Sequence, residues 1–294
     1  MPYTYDYAVI GGDMRQVFLT EKLAIDAKRV CYFALYAVPD KRCFSDGAFV
    51  TAASSLEEAL SLSACIIGPI PLCGKDACFN QTVLDEHISE ERLLSCLKSG
   101  QSFFGGCIPA EFRSAADLKG VRIFDLLENP SLSYFNTIAT AEGAVCEAIR
   151  QSPQNLRKSF CAILGYGKCG RTLLQYLKGM ECRTYVAARR EEARAQAGIL
   201  SDYTGTLEEF ISHAGEFDFI FNTIPSAVIS LETLKKMKPS VTIIDIASAP
   251  GGVDFEGARQ LGLTARLCPG LPGKYAPVSS AGAIKEIVEK SLKE

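Results

Sequence analysis

The feature that most restricts what this chain can fold into is Gly165-Tyr166-Gly167-Lys168-Cys169-Gly170, a G-x-G-x-x-G run set between two segments of opposite character. Before it stands Phe160-Cys161-Ala162-Ile163-Leu164, a continuous apolar stretch of strand length, as expected where both faces of a parallel sheet are covered. After it, Leu173, Leu174 and Leu177 recur at helical spacing. Strand, glycine turn and helix in that order make the phosphate-binding corner of a Rossmann-type unit. The first glycine permits the tight turn, the second lets backbone approach a pyrophosphate, and the third allows helix and strand to pack closely. The helix start adds N–H groups and a positive dipole end. Gly165, Gly167, Lys168, Cys169 and Gly170 are therefore expected to bind a dinucleotide.

The following strand, Thr184-Tyr185-Val186-Ala187, ends in Ala188-Arg189-Arg190, with Arg194 one helical turn later. NAD-binding units usually place a carboxylate here to accept the ribose 2′-hydroxyl. A carboxylate repels a 2′-phosphate, whereas guanidinium forks bind it, so Arg189 and Arg190 favour NADP over NAD. Their other reading is a solvated basic helix start beside Glu191 and Glu192. Carboxyl ends of strands face the ligand in such sheets. Thr223-Ile224-Pro225, after Phe219–Asn222, and Ala247-Ser248, after Val241–Ile246, are accordingly expected beside the ribose and nicotinamide. Ordinary turns are the alternative for these Gly- and Pro-rich loops.

The first half repeats the alternation. Tyr7–Ile10 leads into Gly11-Gly12-Asp13 and a helical stretch through Ala27, and further apolar runs follow at Val30–Leu35, Ala64–Ile67, Ser102–Gly106 and Val121–Phe124. Ser54-Ser55-Leu56-Glu57-Glu58 and Thr206-Leu207-Glu208-Glu209 have capping-box spacing. The pattern predicts an α/β protein of two Rossmann-like, doubly wound parallel-sheet domains with a cleft between them. The expected division is residues 1–133 on the substrate side, a connecting helix over 134–151, and an NADP-binding domain over 152–294. Within that helix Asn136, Thr140 and Gly143 share one small, polar face, which either overlooks the cleft or is solvated. Arg15, at a strand–helix junction, either clamps a carboxylate or makes a surface ion pair.

Composition narrows the partners. The 294 residues suit about two domains. With 31 basic against 34 acidic residues the net charge is −3, which points away from nucleic acid and anionic membranes. No basic-then-apolar leader opens the sequence, and no apolar run reaches the ~20 residues of a bilayer span. None of the 12 cysteines is spaced C-x-x-C and only two histidines, His87 and His213, occur, so a reduced, cytoplasmic, metal-free protein is expected. It is also expected to form a homo-oligomer.

Ile10-Gly11-Gly12-Asp13-Met14-Arg15-Gln16, Gly68-Pro69-Ile70-Pro71 and Thr140-Ala141-Glu142-Gly143-Ala144 stand with the glycine motif and Asn222-Thr223-Ile224-Pro225. Pro250-Gly251-Gly252-Val253-Asp254-Phe255 and Pro269-Gly270-Leu271-Pro272-Gly273-Lys274 complete the set. Together they resemble the family of dipicolinate synthase A subunits over nearly the whole chain. The second half is also similar to the cofactor domains of 2-hydroxyacid dehydrogenases and S-adenosylhomocysteine hydrolase. The chain departs from the family pattern at Val278-Ser279, where the family carries a lysine and a threonine, while Lys274 lies a few residues earlier. The resemblance implies a spore-forming bacterium that converts 4-hydroxy-tetrahydrodipicolinate to dipicolinate by loss of water and oxidation with NADP+. It also implies a second subunit of flavoprotein-like type.

For a substrate with two carboxylates, cationic or amide partners are needed, and the candidates are Arg15, Asn136 and Lys274, with Thr140 on the face of Asn136. Glu142 is a candidate proton acceptor, with a surface helix carboxylate as its other reading. His213 lies in a helical stretch away from strand carboxyl ends, which argues against a His-dependent dehydrogenase. Two alternatives remain open: a dehydrogenase of another small acid, and a non-catalytic regulatory subunit that binds NADP(H).

Overall fold

The structure is a computed structural model that describes residues 3–26, 28–36, 50–74, 78–85 and 87–293. The chain opens with β1 (Tyr5–Ile10), α1 (Met14–Ile25), β2 (Val30–Phe33), β3 (Val50–Ala52), α2 (Leu56–Ser61) and β4 (Ser63–Ile67). Next come α3 (Glu90–Cys96), β5 (Ser102–Gly105), α4 (Ala110–Leu118), β6 (Arg122–Asp125) and the long α5 (Pro130–Gln151). Strand β1 shows why the sheet is parallel and covered. Tyr7 and Val9 enter one apolar layer while Ala8 and Ile10 enter another, so both faces need helices. All neighbours pair parallel, in the order β3-β2-β1-β4-β5-β6.

The second sheet is built from β7 (Phe160–Leu164), α6 (Lys168–Gly179), β8 (Arg183–Ala187), α7 (Glu191–Ala197), β9 (Tyr203–Gly205) and α8 (Leu207–Ser212). It continues with β10 (Phe219–Asn222), α9 (Leu231–Leu234), β11 (Thr242–Asp245), α10 (Phe255–Gln260), β12 (Thr264–Leu267), α11 (Leu271–Tyr275) and α12 (Pro277–Ser291). Its order, β12-β11-β10-β7-β8-β9, is the first sheet's order counted from the opposite edge. Cys161 and Ile163 face one core layer, and Phe160, Ala162 and Leu164 the other. Each sheet therefore reverses direction beside its first strand, between β1 and β4 and between β7 and β10. That is where an open α/β sheet offers a crevice.

Local chemistry sets the ends of the helices. Thr206 completes its capping box with Glu209, and the Ser55 side chain accepts the Glu58 N–H. Helix α5 starts four residues before the expected Tyr134, because Asn129 Oδ1 accepts the Leu132 N–H and Pro130 suits a first helical position. The short edge strands β3 and β9, too brief to show periodicity, complete the two sheets.

Two compact units result, residues 1–135 with 276–294, and residues 136–275. This corrects the expected extent of the second domain, because 276–294 returns to the first. Ala281, Ile284 and Val288, on one stripe of α12, join the core that holds Val17, Leu19 and Leu23 of α1. Residues 136–151 are likewise no separate connector: Ala141, Ala144 and Ala148 sit in the second unit's core with Leu173 and Leu177. No helix among the described residues is long and apolar enough to cross a membrane.

Ile284→Ala should lower stability by about 2–4 kcal/mol, the range for truncating a buried aliphatic side chain. The loss should appear as a lower urea midpoint, with hydrogen-exchange protection lost in β1 and α1 rather than in β7 and β10.

Candidate dinucleotide-binding site

The three motif glycines occupy different environments. Gly165 follows β7 at φ +94°, in the left-handed region, and a Cβ there would lie 2.4 Å from Thr223 Oγ1. A Cβ on Gly170 would lie 2.3 Å from the Gly165 carbonyl oxygen, so helix α6 approaches β7 as closely as backbone allows. Around Gly167 a Cβ would meet nothing within 4 Å. Gly167 is also the N-cap of α6, and among the described residues no side chain makes an N-cap hydrogen bond there. The 12-residue helix thus presents its first turn to open space, an arrangement that suits a pyrophosphate. Lys168 is exposed, and burial pushes the half-buried Cys169 thiol up.

A pocket of about 380 Å³ runs from this loop to the end of β8. Gly165, Tyr166 and Gly167 line one part of it, Arg189 and Arg190 another, and Ile224 a third. Five of the sequence-predicted cofactor residues are thereby brought to one cavity. Both arginines are exposed, and among the described residues neither guanidinium has an ion-pair or hydrogen-bond partner. Arg194 behaves differently: its Nη1 donates to the carbonyls of Ala188 at 2.9 Å and Arg189 at 2.8 Å.

A buried polar pair, which sequence reading passed over, shapes the next two strand ends. Asn222 Nδ2 donates to Asp245 Oδ1 at 3.0 Å and to the Ile224 carbonyl at 3.0 Å, while Asn222 Oδ1 accepts the Ile224 N–H. Asp245 also accepts from the N–H groups of Ala247 and Gly252, at 3.0 and 2.7 Å. Both side chains are fully buried. They tie β10 to β11 and set the course of Thr223-Ile224-Pro225 and Ala247-Ser248. Thr223 Oγ1 donates back to the Leu164 carbonyl, Ala247 is buried, and Pro225 and Ser248 are exposed. The available signal was a polar residue closing each apolar strand.

The first unit fills the equivalent crevice with its own chain. A Cβ on Gly11 would lie 2.5 Å from the Phe79 ring, and the Gly12 N–H donates to the Asn80 carbonyl at 2.8 Å. Asp13 caps α1, closing the helix end that Gly167 leaves open. Arg15, expected as a carboxylate clamp or a surface ion-pair residue, is neither free nor superficial. It is 5% exposed, and its Nε and Nη2 bond Asp13 while Nη2 also reaches the Ile70 carbonyl at 2.6 Å. The guanidinium holds the Gly68-Pro69-Ile70 turn against the start of α1.

Thr140, Lys274 and Glu142 of the second unit are also committed to neighbours. Thr140 Oγ1 donates to the Asn136 carbonyl at 2.8 Å, and a Cβ on Gly143 would lie 2.8 Å from the Tyr275 ring, so this glycine serves helix packing. Lys274 pairs with the buried carboxylate of Glu147, which also accepts from Tyr275 Oη at 2.6 Å. Those two donors hold the Glu147 carboxyl below its usual range, and Glu147 raises Lys274 in turn. Glu142 is exposed and accepts from Tyr176 Oη at 2.9 Å. His213 is exposed and bonded to Glu216. Among the described residues no group of three or more His, Cys, Asp or Glu side chains is placed to hold a metal ion.

Comparison with known proteins divides the chain much as its two sheets do. Residues 6–127 match the family model for the N-terminal domain of the dipicolinate synthase A subunit. Residues 136–253 match the NAD-binding domain of D-isomer specific 2-hydroxyacid dehydrogenases, so the second unit is a nicotinamide-dinucleotide domain of dehydrogenase type. The dipicolinate synthase A subunit of Bacillus subtilis (strain 168) is 31% identical over 194 residues, which are 65% of this chain and 64%, less than two thirds, of that protein. The crystal structure of the dipicolinate synthase A chain from Bacillus subtilis superposes with a TM-score of 0.79 at 26% identity, covering 98% of this chain and 95% of that one. The corresponding protein from Bacillus halodurans, also a dipicolinate synthase A subunit, gives 0.84 at 24% identity over 100% and 99% of the two chains, a likeness of fold.

Gly170→Ala should destabilise the second unit by about 1–3 kcal/mol, since the Gly165 backbone must move. Gly167→Ala should leave stability within about 0.5 kcal/mol. Thermal melts of the two variants give the contrast directly. Arg15→Ala should cost the first unit about 1.5–3 kcal/mol through its lost charged hydrogen bonds. An unchanged urea midpoint together with weakened dicarboxylate affinity would instead restore the clamp.

Proposed function

The chain belongs to the family of dipicolinate synthase A subunits, and on that premise we propose that it oxidises 4-hydroxy-tetrahydrodipicolinate, through dihydrodipicolinate, to dipicolinate. Water leaves the ring first, and oxidation then removes a hydride to NADP+ and a proton to solvent, which completes the aromatic pyridine. Aromatisation makes the second step strongly downhill, so the protein's contribution is to bind and orient. We take the product to serve spore formation in the cytoplasm, and the chain to work as a homo-oligomer with a second, flavoprotein-like subunit.

The observation that carries the cofactor reading is a single pocket lined by an open glycine loop and by two guanidinium groups that are unpaired among the described residues. In this proposal the first turn of α6, from Gly167 through Lys168, Cys169 and Gly170, meets the pyrophosphate. Arg189 and Arg190 meet the adenosine 2′-phosphate, which adds nearly two negative charges that only donors can satisfy. Thr223, Ile224, Pro225, Ala247 and Ser248 border the ribose and nicotinamide, held by the Asn222–Asp245 pair. For the substrate carboxylates, Asn136, Thr140 and Lys274 remain candidates, with Arg15 acting through the turn it holds.

A second reading rests on a specific observation: Arg15, Lys274 and Glu142 are all bonded to neighbours of their own unit. The chain would then bind NADP(H) and leave turnover to its partner. The deciding experiment combines purified chain, with and without the second subunit, with enzymatically generated intermediate and NADP+. Absorbance of NADPH and of the aromatic product is followed together. The enzymatic reading expects the two to rise in equal amounts, and cofactor binding without turnover under either condition selects the second reading. Gly167→Val should abolish dinucleotide binding in calorimetry while the protein stays folded, because its side chain occupies the open space beside the backbone.

A further inference from the structure

Selection between the two nicotinamide cofactors is usually ascribed to groups that touch the ribose. In this chain the arginine whose hydrogen bonds go to backbone carbonyls is the informative one, with the exposed Glu208 carboxylate near enough to feel its charge. Strand β8 ends at Ala187, and the chain turns through Ala188, Arg189 and Arg190 into α7. From one turn into α7, Arg194 returns its guanidinium to the loop, and Nη1 donates to the carbonyls of both Ala188 and Arg189. No carboxylate lies within ion-pair distance of it among the described residues, and Glu191 and Glu192 are exposed on α7. The turn that lines the pocket therefore has an Arg194 donor on each of the Ala188 and Arg189 carbonyls, while among the described residues the Arg189 and Arg190 guanidinium groups have no partner.

The two cofactors differ at one group. A 2′-hydroxyl needs an acceptor, which a carboxylate or an uncommitted carbonyl supplies, whereas a 2′-phosphate needs donors and is repelled by carbonyl dipoles. Specificity can come from denying the competitor its partner as much as from serving the ligand. We propose that Arg194 is a specificity-determining positioning residue: by engaging the Ala188 and Arg189 carbonyls it holds the turn for a 2′-phosphate and competes with a 2′-hydroxyl for those backbone acceptors. The proposal rests on the reading of this pocket as an NADP(H) site. It makes a prediction that a third phosphate ligand would not make, because losing Arg194 should move the two cofactors in opposite directions.

The test is calorimetric titration of the full chain with NADPH and with NADH, for wild type, Arg194→Ala, Arg194→Lys and the Arg189→Ala/Arg190→Ala double variant. Wild type should prefer NADPH by about tenfold or more, and the double variant should lose that preference with NADH affinity nearly unchanged. Arg194→Ala should weaken NADPH by about tenfold and tighten NADH by about two- to tenfold, one hydrogen bond to a released carbonyl. Arg194→Lys, which keeps a single cationic donor, should recover part of the wild-type ratio. Misfolding lowers the number of sites titrated and leaves the ratio of the two affinities intact, so the ratio reads the turn alone. An Arg194→Ala ratio equal to wild type overturns the proposal, as does equal weakening of both cofactors. Weakened NADPH with unchanged NADH makes Arg194 a direct phosphate ligand and also overturns it. The NADP(H) reading itself fails separately, if wild type shows no preference or the double variant keeps it.

Discussion

The contact between the Cα of Gly170 and the carbonyl of Gly165 is the constraint on which the second unit's chemistry depends. It brings the first turn of α6 down onto the end of β7, where any side chain at 170 would strike backbone. With the helix seated there, Gly167 is left at its mouth with free space beside it, and among the described residues no side chain makes an N-cap hydrogen bond. Gly165 N–H in turn donates to the Ala187 carbonyl at 2.8 Å, so the glycine loop and the strand end that carries Arg189 and Arg190 are tied directly together. The pocket spans these two features because one hydrogen bond separates them.

The first unit shows what the same topology does without that constraint. Its sheet has the same strand order and its first strand also ends in glycines, yet Phe79 and Asn80 pack onto Gly11 and Gly12 and Asp13 caps α1. The helix end is satisfied internally, so nothing favours a phosphate there. A crevice in a doubly wound sheet becomes a dinucleotide site only where the loop stays open and the helix N-terminus stays uncapped. Two halves of one chain with one architecture differ in this respect by a few side chains.

Charge is handled differently at different places. Arg15 and Lys274 stand against Asp13 and Glu147, where one partner of each pair, the Arg15 guanidinium and the Glu147 carboxylate, is buried and offset by the more exposed other. Arg189 and Arg190 carry two adjacent positive charges into solvent with no counter-ion among the described residues, while Arg194 donates to carbonyls of the same turn. Unpaired like charges side by side disfavour the empty pocket and favour an anion in it, which is the electrostatic signature of a site rather than of a stabilising network.

Much of this was legible in the chain itself. Continuous apolar runs announced buried parallel strands, with Phe160–Leu164 and Phe219–Asn222 ending where the runs end, and capping residues such as Thr206 marked helix starts. Glycine spacing and the Arg189-Arg190 pair are local in sequence, and local geometry is what fixes a turn. What the residues alone left open was always a matter of partners distant along the chain. Arg15 reads as a clamp until Ile70, 55 residues on, is seen to take its guanidinium, and Lys274 until Glu147, 127 residues back, takes its ammonium. Helix α12 reads as the end of the second half, yet its apolar stripe belongs to the core of the first. Residue identity and spacing determined the elements, the glycine corner and the cation pair, because those depend on backbone sterics and period. The tertiary structure alone decided which charges are free and which core owns the last helix, because burial and pairing are set by whatever the fold brings alongside.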